Sequence, residues 1–184
     1  MCNFLSGIGF PDGSIKTSDA TESHEHLILA FGLKESINLS KNGWVRFEYS
    51  PEDIIDMCDI TKYRLTIDQV IIPDWVTDEI MESWERKANQ LVKGMILLDG
   101  EIPILLGGKW IFGGNVIVNS IVNSIIVSMW GGSIKDMWGA INDMRGGSIN
   151  DMRGGSINDM WGGSINDMWG GSIINDKRNN KEAK

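Results

Sequence analysis

In the last third of the chain, apolar residues recur every eight positions with little else changing. From Met129 the order is Met-Trp-Gly-Gly-Ser-Ile-Lys-Asp. One residue is missing in Met137-Trp138-Gly139-Ala140-Ile141-Asn142-Asp143, and the full octad returns from Met144, Met152, Met160 and Met168. Self-similarity at a fixed short period marks a unit stacked on copies of itself. A period of eight drifts around a helix, and each Gly-Gly pair breaks helices and favours corners. The remaining Ser-Ile-Asn-Asp-Met is one short strand. Strand, glycine corner, strand, glycine corner closes a flat coil after two octads. The pattern therefore predicts a small C-terminal β-solenoid with parallel strands about 4.8 Å apart. Ile149 and Ile157 should point inward as ladders. In weaker form the register runs back through Ile126, Val118 and Trp110, so residues 110–118 are expected to form the first coil.

Two octads per coil would put alternate octads on the same side. Trp130, Arg145 and Trp161 then line one side, and Trp138, Arg153 and Trp169 the other. In each row a guanidinium should sit between two indoles at cation–π distance. These six residues are the candidate interaction residues. The same parity stacks Asp136, Asp151 and Asp167 on one side and Asp143, Asp159 and Asp176 on the other. Residues 177–184 leave the octad and turn cationic, a charged tail suited to blunting a parallel edge.

Upstream the periods change. Residues 3–10 and 14–17 flank Pro11-Asp12-Gly13 as strand, turn, strand, because Asp-Gly supplies the positive φ of a tight hairpin. Ser18 or Thr21 is placed to cap a short helix through Glu25, Leu27, Ile28 and Phe31, with Gly32 at its end. Trp44 to Tyr49 and Tyr63 to Ile67 alternate as half-buried strands do. Trp75, Val76, Ile80, Trp84, Ala88, Leu91 and Val92 recur at helical spacing, with acidic residues early and Lys87 and Lys93 late. The sum is an α+β N-terminal domain over 1–109, an octapeptide-repeat solenoid over 110–176 and a flexible charged tail over 177–184.

Charge narrows the choice of partner. Residues 1–109 carry a net −8, residues 110–176 a net −3 and the last eight +3. Phosphate backbones need clustered Lys and Arg, so direct nucleic-acid binding is not expected. The most apolar run, 116–129, is interrupted by Asn119, Ser120, Asn123 and Ser124, so no membrane span and no signal peptide are expected. Two cysteines, Cys2 and Cys58, do not make a disulfide framework. The expected location is the cytoplasm, bacterial or of an infected host cell.

Candidate chemistry is sparse. Cys2 follows the initiator Met, whose removal would expose an amino-terminal cysteine. This resembles class II glutamine amidotransferases, although those enzymes usually continue with Gly where this chain has Asn3. His24 and His26 form His-Glu-His at a helix start, where positions i and i+2 diverge by about 200°. Their expected place is a polar first turn facing water. To hold a metal the pair would need a carboxylate from elsewhere. Ser6-Gly7-Ile8-Gly9 lacks the helix and third glycine of a phosphate loop. Gly-Gly-Ser-Ile-Asn-Asp resembles the calcium nonapeptide of bacterial β-rolls, but isoleucine replaces its second glycine and the period is eight, so neither calcium nor a cofactor is expected.

Taken together, the Met-Cys-Asn-Phe start, Ser23-His24-Glu25-His26-Leu27-Ile28, Trp110-Ile111 and the octad tail resemble uncharacterised bacterial and phage proteins with variable numbers of such octads. The resemblance implies the two-part architecture and a microbial or phage origin, and it brings no activity with it. Two classes of function follow. The first is a non-enzymatic interaction protein, a phage or mobile-element factor that binds and inhibits a host component. In that class the front domain meets a protein or small ligand, and the solenoid acts as rigid spacer or homo-oligomerisation element. The alternative is a small hydrolase or transferase working through Cys2 or the His24/His26 pair.

Overall fold

The computed structural model describes residues 4–18, 23–34, 36 and 38–178, in two units, Met1–Gly94 and Met95–Lys184. The first is a mixed helix and sheet region. Its strands β1 (Leu5–Gly9), β2 (Ile15–Thr17), β3 (Val45–Pro51) and β4 (Tyr63–Ile67) form an antiparallel sheet in the order β2-β1-β3-β4. Gly13 makes the first hairpin turn at φ 75.

Two helices belong to this unit. The longer, α2 (Asp78–Met95), buries Trp84, Ala88 and Val92. The Trp84 ring lies parallel to Phe47 of β3 at 6.3 Å, and its indole N–H donates to Phe10 O. Leu91, expected on the apolar face, is exposed. Packing also explains Ser6-Gly7-Ile8-Gly9: a Cβ on Gly9 would lie 2.6 Å from the Trp84 indole, so that glycine makes room for a ring. The shorter helix, α1 (His24–Ala30), has Ser23 as its N-cap in place of the expected Ser18 or Thr21; the Ser23 hydroxyl accepts from His26 N. Ser18 is described but lies too far upstream to cap it, and Thr21 lies outside the described residues. Leu27 of α1 packs with Ile8 and Trp44 in a buried cluster.

The second unit is a β-solenoid of about 5 turns. It begins upstream of residue 110, because β5 (Ile96–Leu97), β6 (Glu101–Leu106) and β7 (Lys109–Phe112) already lie in its sheet. Next come β8 (Ile117–Met129), β9 (Ser133–Met144), β10 (Ser148–Met152), β11 (Ser156–Met160), β12 (Ser164–Met168) and β13 (Ser172–Asp176), with every pairing parallel. Ser148 pairs with Ser133 on one side and Ser164 on the other, while Ser156 pairs with Ala140 and Ser172. Strands adjacent in sequence thus belong to different rows.

In β9, β10 and β11 the isoleucines and methionines point inward. Ile134, Met137, Ile141, Met144, Ile149, Met152, Ile157 and Met160 are all at 0% exposure. The corners explain the glycine pairs. Gly147 has φ 79, in the left-handed region, and a Cβ there would lie 2.7 Å from Gly132 O. The one-residue gap at Gly139-Ala140 leaves this corner without a left-handed glycine, and β9 continues through it, its two halves pairing with β10 and β11.

Near the end an extra residue, Ile174, shifts the last strand. Asn175 comes opposite Asp159, and Asp176 takes the place of methionine opposite Met160. The expected ladder Asp143, Asp159, Asp176 is therefore broken at its last rung.

Candidate functional site

Among the described residues the first unit gathers one chemically distinctive cluster, and the sequence names only one of its members. His24 opens α1, Glu48 lies on β3 and Asp68 follows β4. His24 is almost wholly buried, at 3% exposure, while His26, on another side of the helix, is exposed. The expectation that both histidines face water thus fails for His24, because its ring turns onto the sheet alongside Leu27. The helix separates the two imidazoles, so they do not act as a pair.

His24 Nε2 lies 3.0 Å from Phe47 O, while Nδ1 lies 3.1 Å from Asp68 Oδ2 and 3.7 Å from Glu48 Oε1. A serine of the glycine-rich segment orients Glu48: Ser6 Oγ is 3.2 Å from Oε1 and 3.3 Å from Oε2. Asp68 is fixed by the end of the β3–β4 ladder, where its N–H donates to Arg46 O at 3.0 Å and Arg46 N–H donates to Gln69 Oε1 at 3.1 Å. Beside the cluster the Ser23 hydroxyl, 2.7 Å away, holds the Glu25 carboxyl below its usual range, with the Arg46 charge adding to the effect.

Cys58 and the tyrosines beside the cleft offer little nucleophilic chemistry. Cys2 lies outside the described residues. Burial pushes the Cys58 thiol up, which lowers its thiolate fraction. A cleft of about 380 Å³ is lined by Tyr49, Thr61, Tyr63, Arg64, Glu85 and Asn89. Burial raises both tyrosines as well, so they remain neutral phenols.

On the solenoid, Trp130, Arg145 and Trp161 follow the second strand of successive coils and form one row. The Arg145 guanidinium lies 5.0 Å from the Trp130 ring and 5.5 Å from the Trp161 ring, and Lys177 Nζ lies 4.2 Å from Trp161 on its other side. Indoles and cations thus alternate over four coils. Trp138, Arg153 and Trp169 follow the first strand of each coil and are arranged differently. The difference lies in the arginine, since Arg153 Nε donates to Asp136 at 2.6 Å, whereas the Trp169 indole N–H donates to Asp151 at 3.2 Å just as that of Trp161 donates to Asp143 at 3.0 Å. At the shortened corner the Trp138 ring lies over Gly154, 3.3 Å from where a Cβ would be, and Arg153 turns to the carboxylate. Between the rows run outward asparagine ladders: Asn158 donates to Asn142 and Asn166 to Asn150, each 16 residues away.

No helix among the described residues is long and apolar enough to cross a membrane. Comparison with family models, curated proteins and solved structures gives no match.

Proposed function

We propose that the chain is a non-enzymatic interaction protein whose solenoid repeats an octapeptide, two octads to a coil, and joins one copy to another. The observation that carries this reading is the last coil. Among the described residues, β12 pairs only with β10 and β13 only with β11, leaving their outer edges without a strand. Inward positions that are sealed elsewhere open here: Ile165 and Ile173 are partly buried, Met168 is 48% exposed, and Trp169 and Ile174 beside them are 77% and 62% exposed. An apolar parallel edge of this kind is a template for a further strand.

A second copy meeting it about a two-fold axis would cover both apolar ends at once, since the same patch serves both partners. In this reading the first unit carries the surface for a protein or small-ligand partner, and a host component is the target that the resemblance to phage proteins suggests. Sedimentation velocity of the full chain over a concentration series tests the assembly. Wild type should show a concentration-dependent dimer, and the double variant Met168→Lys/Ile174→Lys should remain a monomer with unchanged circular dichroism. A wild type that stays monomeric at the highest concentration, or a variant that dimerises equally well, would refute it.

A further inference from the structure

We infer that His24, Glu48 and Asp68 form a binding site for a divalent transition-metal ion of the zinc class, with water completing the coordination. The argument starts from the imidazole. Nε2 faces Phe47 O at 3.0 Å. A carbonyl only accepts, so Nε2 carries the proton. In a neutral ring the other nitrogen then presents its lone pair. That nitrogen points at two carboxylate oxygens, 3.1 and 3.7 Å away, which also only accept. Three acceptor atoms converge beside a ring at 3% exposure, a geometry that a shared cation stabilises.

The spacing suits a metal. Ligand atoms about 2.0–2.2 Å from one zinc ion lie roughly 3.4 Å apart at the tetrahedral angle. The two observed separations straddle that value, and the three candidate ligand atoms all lie within 4.8 Å of one another. The outer contacts match as well. A metal-bound imidazole commonly donates its remaining N–H to a carbonyl or carboxylate, as His24 does to Phe47 O, and ligating carboxylates are themselves hydrogen-bonded, as Glu48 is by Ser6.

Imidazole nitrogen selects zinc, cobalt and their neighbours over magnesium and calcium, which prefer oxygen throughout. The side of the cluster nearest Asp68, itself 57% exposed, gives water access to the remaining positions. The ligands come from α1, from β3 and from the segment after β4, so the ion would pin the helix to the sheet. Arg46, on the same side of β3 as Glu48, is a neighbouring fixed cation that works against the ion and should keep its affinity moderate.

The test is titration of the full chain with Zn²⁺ by calorimetry and with Co²⁺ by visible absorption, alongside nitrogen NMR of the histidine rings. The site predicts one equivalent bound, a rise in Tm, a shift at His24 Nδ1 on zinc addition, and none of these effects from Mg²⁺ or Ca²⁺ at equal concentration. Asp68→Asn and Glu48→Gln should each weaken binding at least tenfold, whereas His26→Ala should leave it unchanged. The Asp68 variant is the decisive one, because this exposed side chain can be changed without disturbing the core. Equal uptake by Asp68→Asn would overturn the site. So would an absence of uptake with both His24 nitrogens protonated throughout, because a proton would then be the cation that the three acceptors share.

Discussion

Replacing Ile157 by alanine should loosen the solenoid at one coil, and the size of the effect follows from its neighbours. Ile157 is at 0% exposure, in register with Ile141 on one side and Ile173 on the other. The change removes three buried carbons, at about 0.8 kcal/mol each from lost transfer out of water. A cavity term comes on top, because parallel strands held by backbone bonds on both sides cannot collapse into the gap, giving about 2–5 kcal/mol in all. Ile173 sits in the same ladder but in the open last coil, where it is only partly buried. Ile173→Ala should therefore cost clearly less, about 1 kcal/mol. Because coils in a solenoid touch only their neighbours, the loss should be local. Hydrogen exchange should report it as faster exchange in 140–144, 156–160 and 172–176, with the first unit unchanged. Equal costs at Ile157 and Ile173, or a cost below about 0.5 kcal/mol at Ile157, would mean that the isoleucine ladder is not the core.

Deleting the two octads 144–159 should shorten the solenoid by one coil and preserve its stability. Deleting 152–159 alone should move every later strand to the opposite side, part Arg145 from Trp161 and lower the melting temperature; equal tolerance of both deletions would contradict the pairing. Arg145→Ala should cost about 1–2 kcal/mol, from two cation–π contacts at about 0.5–1 each, and most of the loss should persist in high salt, which weakens only its 3.7 Å ion pair with Asp143. Arg153→Ala removes an exposed ion pair with Asp136, and its smaller effect should vanish in salt. The Lys177 ammonium, hydrogen-bonded to Asp159, holds that carboxyl below its ordinary value of 3.8. A depressed carboxylate stabilises the fold above its unfolded pKa and loses that contribution as pH falls through the folded one. The last coil should therefore loosen below about pH 4, and Lys177→Ala should weaken that dependence; a pH profile identical in the variant would contradict the pairing.

The C-terminal β-solenoid was legible because isoleucine and methionine recur at fixed distances along it, and most of them are buried. So were β3, β4 and α2, where Phe47, Tyr49, Trp84 and Ala88 follow the periods of a strand and a helix. The solenoid's start was not legible, because β6 exposes most of its side chains and carries no octad. Nor was the last coil, where a single inserted residue, Ile174, changes which side chain each position presents. The cluster around His24 left the weakest trace. Its carboxylates stand 24 and 44 residues away and meet the imidazole only through antiparallel strand pairing. Local spacing told only that a third group would have to come from elsewhere.

Paired cysteines test the two-octad coil most directly. Asn150 and Asn166 lie in adjacent coils of one row, joined by a side-chain hydrogen bond of 3.1 Å across 16 residues. Asn158, halfway between them in sequence, belongs to the other ladder with Asn142. In a Cys-free background with Cys2 and Cys58 changed to serine, the pair Asn150→Cys/Asn166→Cys should oxidise readily to an intramolecular disulfide. Adjacent parallel strands place the Cα atoms about 4.8 Å apart, within the range that a disulfide spans. The pair Asn150→Cys/Asn158→Cys should stay reduced under the same conditions. Ready closure of the eight-residue pair, with the sixteen-residue pair left open, would contradict the account.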